Sequence, residues 1–362
     1  MVNCPHMRTL PLLLLLLLAR PSFAADAPFY LGGDISGLPD LEKAGAVYTD
    51  NGKPGDAIAI LTSHGCNLFR LRLFVNPQHD SNKNYGATQD LPMILALSKR
   101  IKNSGATLSL AMHYSDTWAD PASQSKPAVW KNLSFNTLVE KVGAYTTDVM
   151  TALKSNGTPP DIVEVGNETT NGMLWPDGKL GGSSPEEKQK QWDKFATLLK
   201  AGTTAVRSQL PSARILIHIS GGGKSGLPTW YFSELKRRNL DFDIIGLSFY
   251  PTWNDSLDAL KKNLAELSAM KKNILIIEAA YPYKPVKQTP QMQWPTTPAG
   301  QKQFLDDLIA AVKMTPDHRG IGVVWWYPEA VPLHDHNTWE NGSLGLFDQH
   351  GDLLPAIAAR SE

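Results

Sequence analysis

The chain is poor in cysteine: of two in 362 residues, Cys4 lies in an N-terminal apolar segment and only Cys66 comes after it. A lone thiol closes no internal disulfide, so cystine bridges cannot stand in for a hydrophobic core. Cys66 follows His64-Gly65 and precedes a strand-like run, where it reads as a small buried hydrophobe. Net charge is lacking too, with 35 basic and 35 acidic side chains in balance. That argues against nucleic acid or another polyanion as the main partner and suits an uncharged one. Long apolar runs are missing: the unbroken stretch Leu12–Leu18 falls well short of the roughly 18 residues needed to span a bilayer. No proline-rich or charge-rich linker divides the chain, and no short period repeats. A single domain is therefore expected, since α/β barrels often exceed about 250 residues as one unit.

The N-terminus carries an address. Arg8 precedes Leu10-Pro11, the leucine run, and then Ala19-Arg20-Pro21-Ser22-Phe23-Ala24-Ala25. A short apolar core followed by Ser-x-Ala reads as a secretory signal, residues 1–24, cleaved after Ala24. Met7 serves equally well as the start, and a membrane anchor is the competing reading. Residues 25–362 are then the mature domain, secreted or periplasmic and free of the membrane.

Eight apolar segments are expected as strands: Tyr30–Ile35, Leu68–Leu73, Thr107–Met112, Ile162–Val165, Ile215–Ile219, Ile244–Phe249, Ile274–Ile277 and Gly322–Trp326. Runs with helical spacing fall between them at Asp56–Ser63, Leu91–Asn103, Leu138–Lys154, Glu186–Ser208, Ser256–Leu267 and Gly300–Val312. Alternation of this kind predicts a (β/α)8 TIM barrel. The polar residues gather where that fold would use them. Asp34-Ile35-Ser36, Arg70-Leu71-Arg72, His113-Tyr114-Ser115-Asp116, Asn167-Glu168, His218, Ser248-Phe249-Tyr250, Glu278 and Trp325-Trp326-Tyr327 all close strands. In a barrel these C-terminal ends share one rim, where the active sites of the fold sit. Glu168 and Glu278 stand out, because a carboxyl ending an apolar strand is expensive to bury unless it is satisfied or used.

At these residues the chain resembles the glycoside hydrolase family 53 endo-β-1,4-galactanases, whose two glutamates sit on barrel strands four and seven. The blocks that carry the resemblance are His113-Tyr114-Ser115-Asp116-Thr117-Trp118-Ala119-Asp120-Pro121 and Gly166-Asn167-Glu168 with Gly172-Met173-Leu174-Trp175-Pro176. Gly33-Asp34-Ile35-Ser36, Gly65-Cys66-Asn67-Leu68-Phe69-Arg70-Leu71-Arg72, Ser248-Phe249-Tyr250-Pro251 and Gly345-Leu346-Phe347-Asp348 extend it through most of the mature chain. The resemblance implies a secreted retaining enzyme that cleaves internal β-1,4-galactosidic linkages in galactan or arabinogalactan. A polysaccharide is then the partner, and the chain is expected to act as a monomer without a cofactor.

By the same resemblance Glu168 is the general acid/base and Glu278 the nucleophile. Arg70 and Arg72, two apart on one strand, point the same way, and at least one should hydrogen-bond Glu278. Tyr250 is a second donor to that carboxylate. The Glu168 carboxyl should be held protonated by the charge of Glu278. Asn167 would bind the sugar 2-hydroxyl, and a bulge or strand end must aim it inward beside Glu168. His113 and Trp326 would shape the subsite of the attacked sugar, with Trp118 and Trp175 as cleft walls. Asp116, Asp120 and Asp348 read as loop organisers. No metal ligand is assigned; His334-Asp335-His336-Asn337 is a weak cluster, and calcium, bound in rim loops by some relatives, would be structural. Departures from the family pattern fall at Thr169-Thr170, Ser220-Gly221-Gly222-Gly223 and Trp325-Trp326-Tyr327-Pro328-Glu329. Two other readings stay open: the same chemistry on another β-linked polysaccharide, and a carbohydrate-binding relative.

Overall fold

The computed structural model describes Met1 and residues 28–80, 82, 86–253, 256–286, 292–334 and 336–358. The expected signal, 1–24, lies outside the described residues apart from Met1. Eight parallel strands close into a barrel: β1 (Tyr30–Asp34), β2 (Leu68–Leu73), β3 (Thr107–Met112), β4 (Ile162–Val165), β5 (Arg214–Ile219), β6 (Ile244–Phe249), β7 (Asn273–Ala279) and β8 (Gly320–Trp326). They pair in sequence order, and β8 returns to β1 in the register Gly32↔Val324. The expected (β/α)8 architecture is present as one domain.

Helices α1 (Leu38–Lys43), α2 (Ala57–Ser63), α3 (Leu91–Asn103), α4 (Phe135–Ser155), α5 (Pro185–Gln209), α6 (Leu227–Arg237), α7 (Leu257–Ser268) and α8 (Pro298–Lys313) surround the barrel. Their starts follow from side-chain oxygens that accept the otherwise orphaned first-turn N–H groups: Asp56, Asp90, Ser134, Ser184, Ser256 and Thr297 each cap the helix that follows. Helices α1 and α6 escape the periodicity expectation. The first is one and a half turns long, and the second follows a glycine-rich lead and begins Leu227-Pro228.

The apolar residues divide into two cores. A large shell fills the space between strands and helices. A smaller plug of Tyr30, Leu68, Ile162, Leu216, Ile244, Leu275, Ile277 and Val324 fills the barrel interior. With side chains alternating along a strand, the next interior positions toward the rim are Arg70, Glu164 and His218, all fully buried. A polar layer therefore lies directly on the apolar plug.

Strand β7 breaks the alternation. Leu247 of β6 pairs with Ile276, but Ser248 pairs with Glu278, so Ile277 is an extra residue in the ladder. Leu275 and Ile277 both face the interior plug. Without the bulge, alternation would turn Glu278 outward against the helices.

Candidate active site

The polar layer is organised by Arg70. Its Nε and Nη2 donate to the two oxygens of Glu164 at 2.9 and 2.8 Å. Its Nη1 donates to Asp34 at 3.0 Å and to Glu278 at 2.8 Å, and Nη2 donates again to Asn167 Oδ1 at 2.7 Å. All five guanidinium N–H groups are thereby used, three carboxylates being held by one buried cation. Burial alone would raise the Glu164 pKa, but the charges of Arg70 and then His218 reverse the effect and bring it to about 2. Of the two arginines, Arg70 is the one that meets Glu278. Arg72 turns away: Nη1 donates to Asp34 at 2.8 Å and Nε to Gln89 at 3.2 Å. Its guanidinium is flanked by Trp118, Trp326 and Tyr327 at 4.8, 4.9 and 5.3 Å from the ring centres. Such contacts favour a desolvated cation.

Glu278 takes its second hydrogen bond from Tyr250 Oη at 3.0 Å, as the sequence implied. Burial and the Glu278 charge push the Tyr250 phenol well up, so it stays a donor. Glu168 reaches the same place by a different backbone route. Strand β4 ends at Val165, Gly166 follows at φ +81°, and Glu168 sits in the left-handed region at φ 44°, ψ 48°. The strand end, and not a bulge, aims Asn167 and Glu168 inward. Holding a non-glycine residue there costs on the order of 1–3 kcal/mol, the kind of strain that collects at functional sites. Ser248 Oγ donates to Glu168 Oε1 at 2.6 Å. Burial of its carboxyl, then the charge of Glu278, raise the Glu168 pKa to about 7.

Glu168, His218 and Glu278 each bring one ligand-type atom within 4.8 Å of the others. Both ring nitrogens of His218 are already engaged, Nδ1 with Glu164 at 2.8 Å and Nε2 with Ser248 at 2.8 Å. Above this layer opens a cleft of about 810 Å³ whose lining includes Asn167, Glu168, Glu278, Tyr250, Trp118 and Trp326. Trp253 and Trp339 also line it, and Trp253 is 61% exposed. Aromatic faces around two acids form a groove suited to an extended, uncharged ligand.

These features converge with sequence comparison. The profile of Glycosyl hydrolase family 53 matches residues 30–359. The chain belongs to that family. Family 53 relatives include an arabinogalactan endo-β-1,4-galactanase of Cellvibrio japonicus, 32% identical over 95% of this chain and 94% of the relative. A second, from Aspergillus niger, is 32% identical over 91% of both chains. Among solved structures, a family 53 catalytic domain from Ignisphaera aggregans superposes with a TM-score of 0.82, at 30% identity over 93% of this chain and 97% of that one. A fungal β-1,4-galactanase gives 0.80 at 29% identity, covering 93% of this chain and all of its own. As a family 53 member the chain is a glycosyl hydrolase.

The structure gathers most of the expected residues and leaves four off the cleft surface: Arg70 and Arg72, expected to meet substrate, are fully buried in the layer beneath it, and His113 and Trp175 lie apart from it. His113 is buried behind the wall, 4.7 Å from the Phe74 ring and 6.1 Å from Trp118. Its Nδ1 accepts from Ala119 N, and burial, then the Arg70 charge, keep the ring neutral. Trp175 donates its indole N–H to Asn171 O and lies under Lys179, outside the residues that line the cleft. Asp116 and Asp348 accept from backbone N–H groups of their loops, as does Asp120, which also lines the cleft. Of the weak cluster at 334–337, Asp335 lies outside the described residues, and Asn337 N donates to Asn82. The departures are structurally coherent. Thr170 and Ser220 hydrogen-bond each other at 2.9 Å, and the glycine loop after β5 is pinned by Asn263, whose amide donates to Gly222 O and Lys224 O.

Glu164 is the residue that sequence reasoning passed over. A lone acid inside Ile162-Val163-Glu164-Val165 carried the same signal as the strand-end glutamates, a charge too costly to bury without a partner.

Proposed function

We propose that this glycosyl hydrolase is an exported, retaining endo-β-1,4-galactanase, with Glu278 as nucleophile and Glu168 as acid/base. The observation that carries the mechanism is the approach of the two carboxyl groups to within 4.8 Å. Direct attack requires carboxyls about 5–5.5 Å apart, whereas inversion leaves roughly 6.5–9.5 Å for a water between them. Glu278, ionised against Arg70 and Tyr250, attacks the anomeric carbon while Glu168 delivers its proton to the departing oxygen. The bond to the sugar neutralises Glu278, which removes one of the charges that hold up the Glu168 pKa. Glu168 then takes a proton from the water that releases the sugar. Asn167 gives one amide N–H to Ala119 O and keeps the other for the sugar 2-hydroxyl. Two carboxyls suffice, so no cofactor is invoked. Galactan is the substrate suggested by the relatives' names, internal cleavage by the open groove, and export by the N-terminal leucine run.

The test compares wild type, Glu278→Ala and Glu168→Gln on β-1,4-galactan, with mannan, xylan and β-glucan alongside. Wild type should release galacto-oligosaccharides whose first-formed anomer is β by NMR. Glu168→Gln should lose about 10²–10⁴-fold on the polymer. Undiminished hydrolysis by either variant defeats the assignment, and a preference for another polysaccharide moves the specificity. Galactan binding without any new reducing ends between about pH 4 and pH 9 points to a carbohydrate-binding relative instead.

A further inference from the structure

The geometry points to His218 and Ser248 as positioning residues that decide which oxygen of Glu168 carries the catalytic proton, with His218 acting as a buried imidazolium. The inference rests on Glu168 being the acid, and it follows from counting hydrogens along one chain of contacts. His218 Nδ1 lies 2.8 Å from Glu164 Oε1 and 3.2 Å from Asn167 Oδ1. Both are acceptors: Glu164 is an ionised partner of Arg70, and the Asn167 amide is oriented by Nδ2 donating to Ala119 O. Nδ1 therefore carries a hydrogen.

On the other side, His218 Nε2 is 2.8 Å from Ser248 Oγ, and Ser248 Oγ is 2.6 Å from Glu168 Oε1. Serine has one hydrogen for these two neighbours. If Ser248 donates to Glu168 Oε1, its own oxygen must accept from Nε2–H. The ring is then doubly protonated, and the Glu168 proton is left on Oε2, clear of Ser248. If Nε2 is bare, Ser248 turns its hydrogen to the ring. Glu168 must then place its proton on Oε1 to reach Ser248, and a protonated acid points into the protein. The two arrangements differ by one proton, which leaves to solvent as the ring becomes neutral. Only the first offers a proton to a substrate.

The charges around the ring are consistent with the first arrangement. Burial, the largest single influence, opposes the imidazolium and Arg70 on β2 adds to that, but the charge and hydrogen bond of Glu164 on β4 and the charge of Glu278 on β7 together make the net shift upward. His113, just past β3, is neutral, and Glu168 lies across Ser248 from the ring with Asp120 beyond it.

Two measurements test the assignment. In protein labelled with ¹⁵N-histidine, the His218 ring, identified by its loss in His218→Gln, should show both nitrogens protonated at pH 7, where an ordinary histidine is mostly neutral. A bare ring nitrogen at pH 6 overturns the proposal. In kinetics, Ser248→Ala and His218→Gln should lower kcat/KM on galactan by about 10–100-fold, yet stay within about 3-fold of wild type on a dinitrophenyl β-galactobioside, whose leaving group needs no proton. Removing the ring's positive charge should also move the basic limb of the His218→Gln profile to higher pH. Equal losses on both substrates with an unmoved limb indicate a scaffold role and overturn it. If wild type cleaves neither substrate while the doubly protonated ring is seen, the glycosidase reading fails and the positioning role falls with it.

Discussion

Arg70→Lys tests the polar layer most severely, because it preserves charge and removes geometry. The guanidinium makes five hydrogen bonds to Asp34, Glu164, Glu278 and Asn167, all in the buried layer. An ammonium has three hydrogens, so at least two of the five bonds are lost. Hydrogen bonds to charged groups contribute about 1.5–3 kcal/mol each, which puts the loss at roughly 3–6 kcal/mol. That is a large share of the roughly 5–15 kcal/mol that holds a protein folded. Arg72→Lys is the internal control. Arg72 makes two side-chain hydrogen bonds to other side chains, one of them at 3.2 Å, and its Nη2 has no hydrogen-bond partner among the described residues. Its replacement should cost about 1–3 kcal/mol, since a lysine retains one strong bond and the aromatic cage. Urea unfolding of the three proteins, followed by tryptophan fluorescence, measures the difference. Equal costs at the two positions, or a loss below about 1 kcal/mol at Arg70, would refute the view that one fork holds the three carboxylates together.

Two further outcomes follow from the same layer and the cleft above it. Glu164 has its folded-state pKa depressed to about 2 from 4.5, so its contribution is fully present above about pH 4.5 and is lost as pH falls through about 2. The shift corresponds to about 3 kcal/mol, and Glu164→Gln should flatten that acid limb in urea midpoints taken from pH 6 to pH 2; an unchanged limb assigns acid unfolding elsewhere. Trp253, exposed on the cleft wall, should act on polymer binding more than on chemistry. Trp253→Ala is expected to raise KM for galactan by about 3–30-fold with kcat within about 2-fold, and a fall in kcat alone would remove it from the binding surface.

Much of this site was legible in the residues. Strand ends that carry Asp34, Arg70, Asn167, Glu168, Tyr250 and Glu278 announce a shared rim, because an apolar strand tolerates such groups only where they are paired or solvated. Apolar spacing placed the long helices to within a few residues. What stayed hidden depends on parity and on partners far apart in sequence. Nothing in Asn273-Ile274-Leu275-Ile276-Ile277-Glu278 marks Ile277 as surplus, since a bulge is defined by the neighbouring strand. Arg70 and Arg72 are equivalent by alternation, and only the placement of Glu164, 94 residues on, tells which one holds the nucleophile's side of the layer. His113 and Trp175 show the opposite limit: their motifs are plain, while their depth relative to the cleft is set by Phe74, Trp118 and Asn171.

The surplus isoleucine in β7 makes reactivity a matter of counting. Were Ile277 to pair in the ladder instead of bulging, alternation would leave Leu275 and Ile277 in the plug, yet the attacking oxygen would look out at helices. Substitutions wear such an enzyme down by degrees. A one-residue slip of pairing at this point would turn the attacking group away from the cleft and leave the apolar plug its residues.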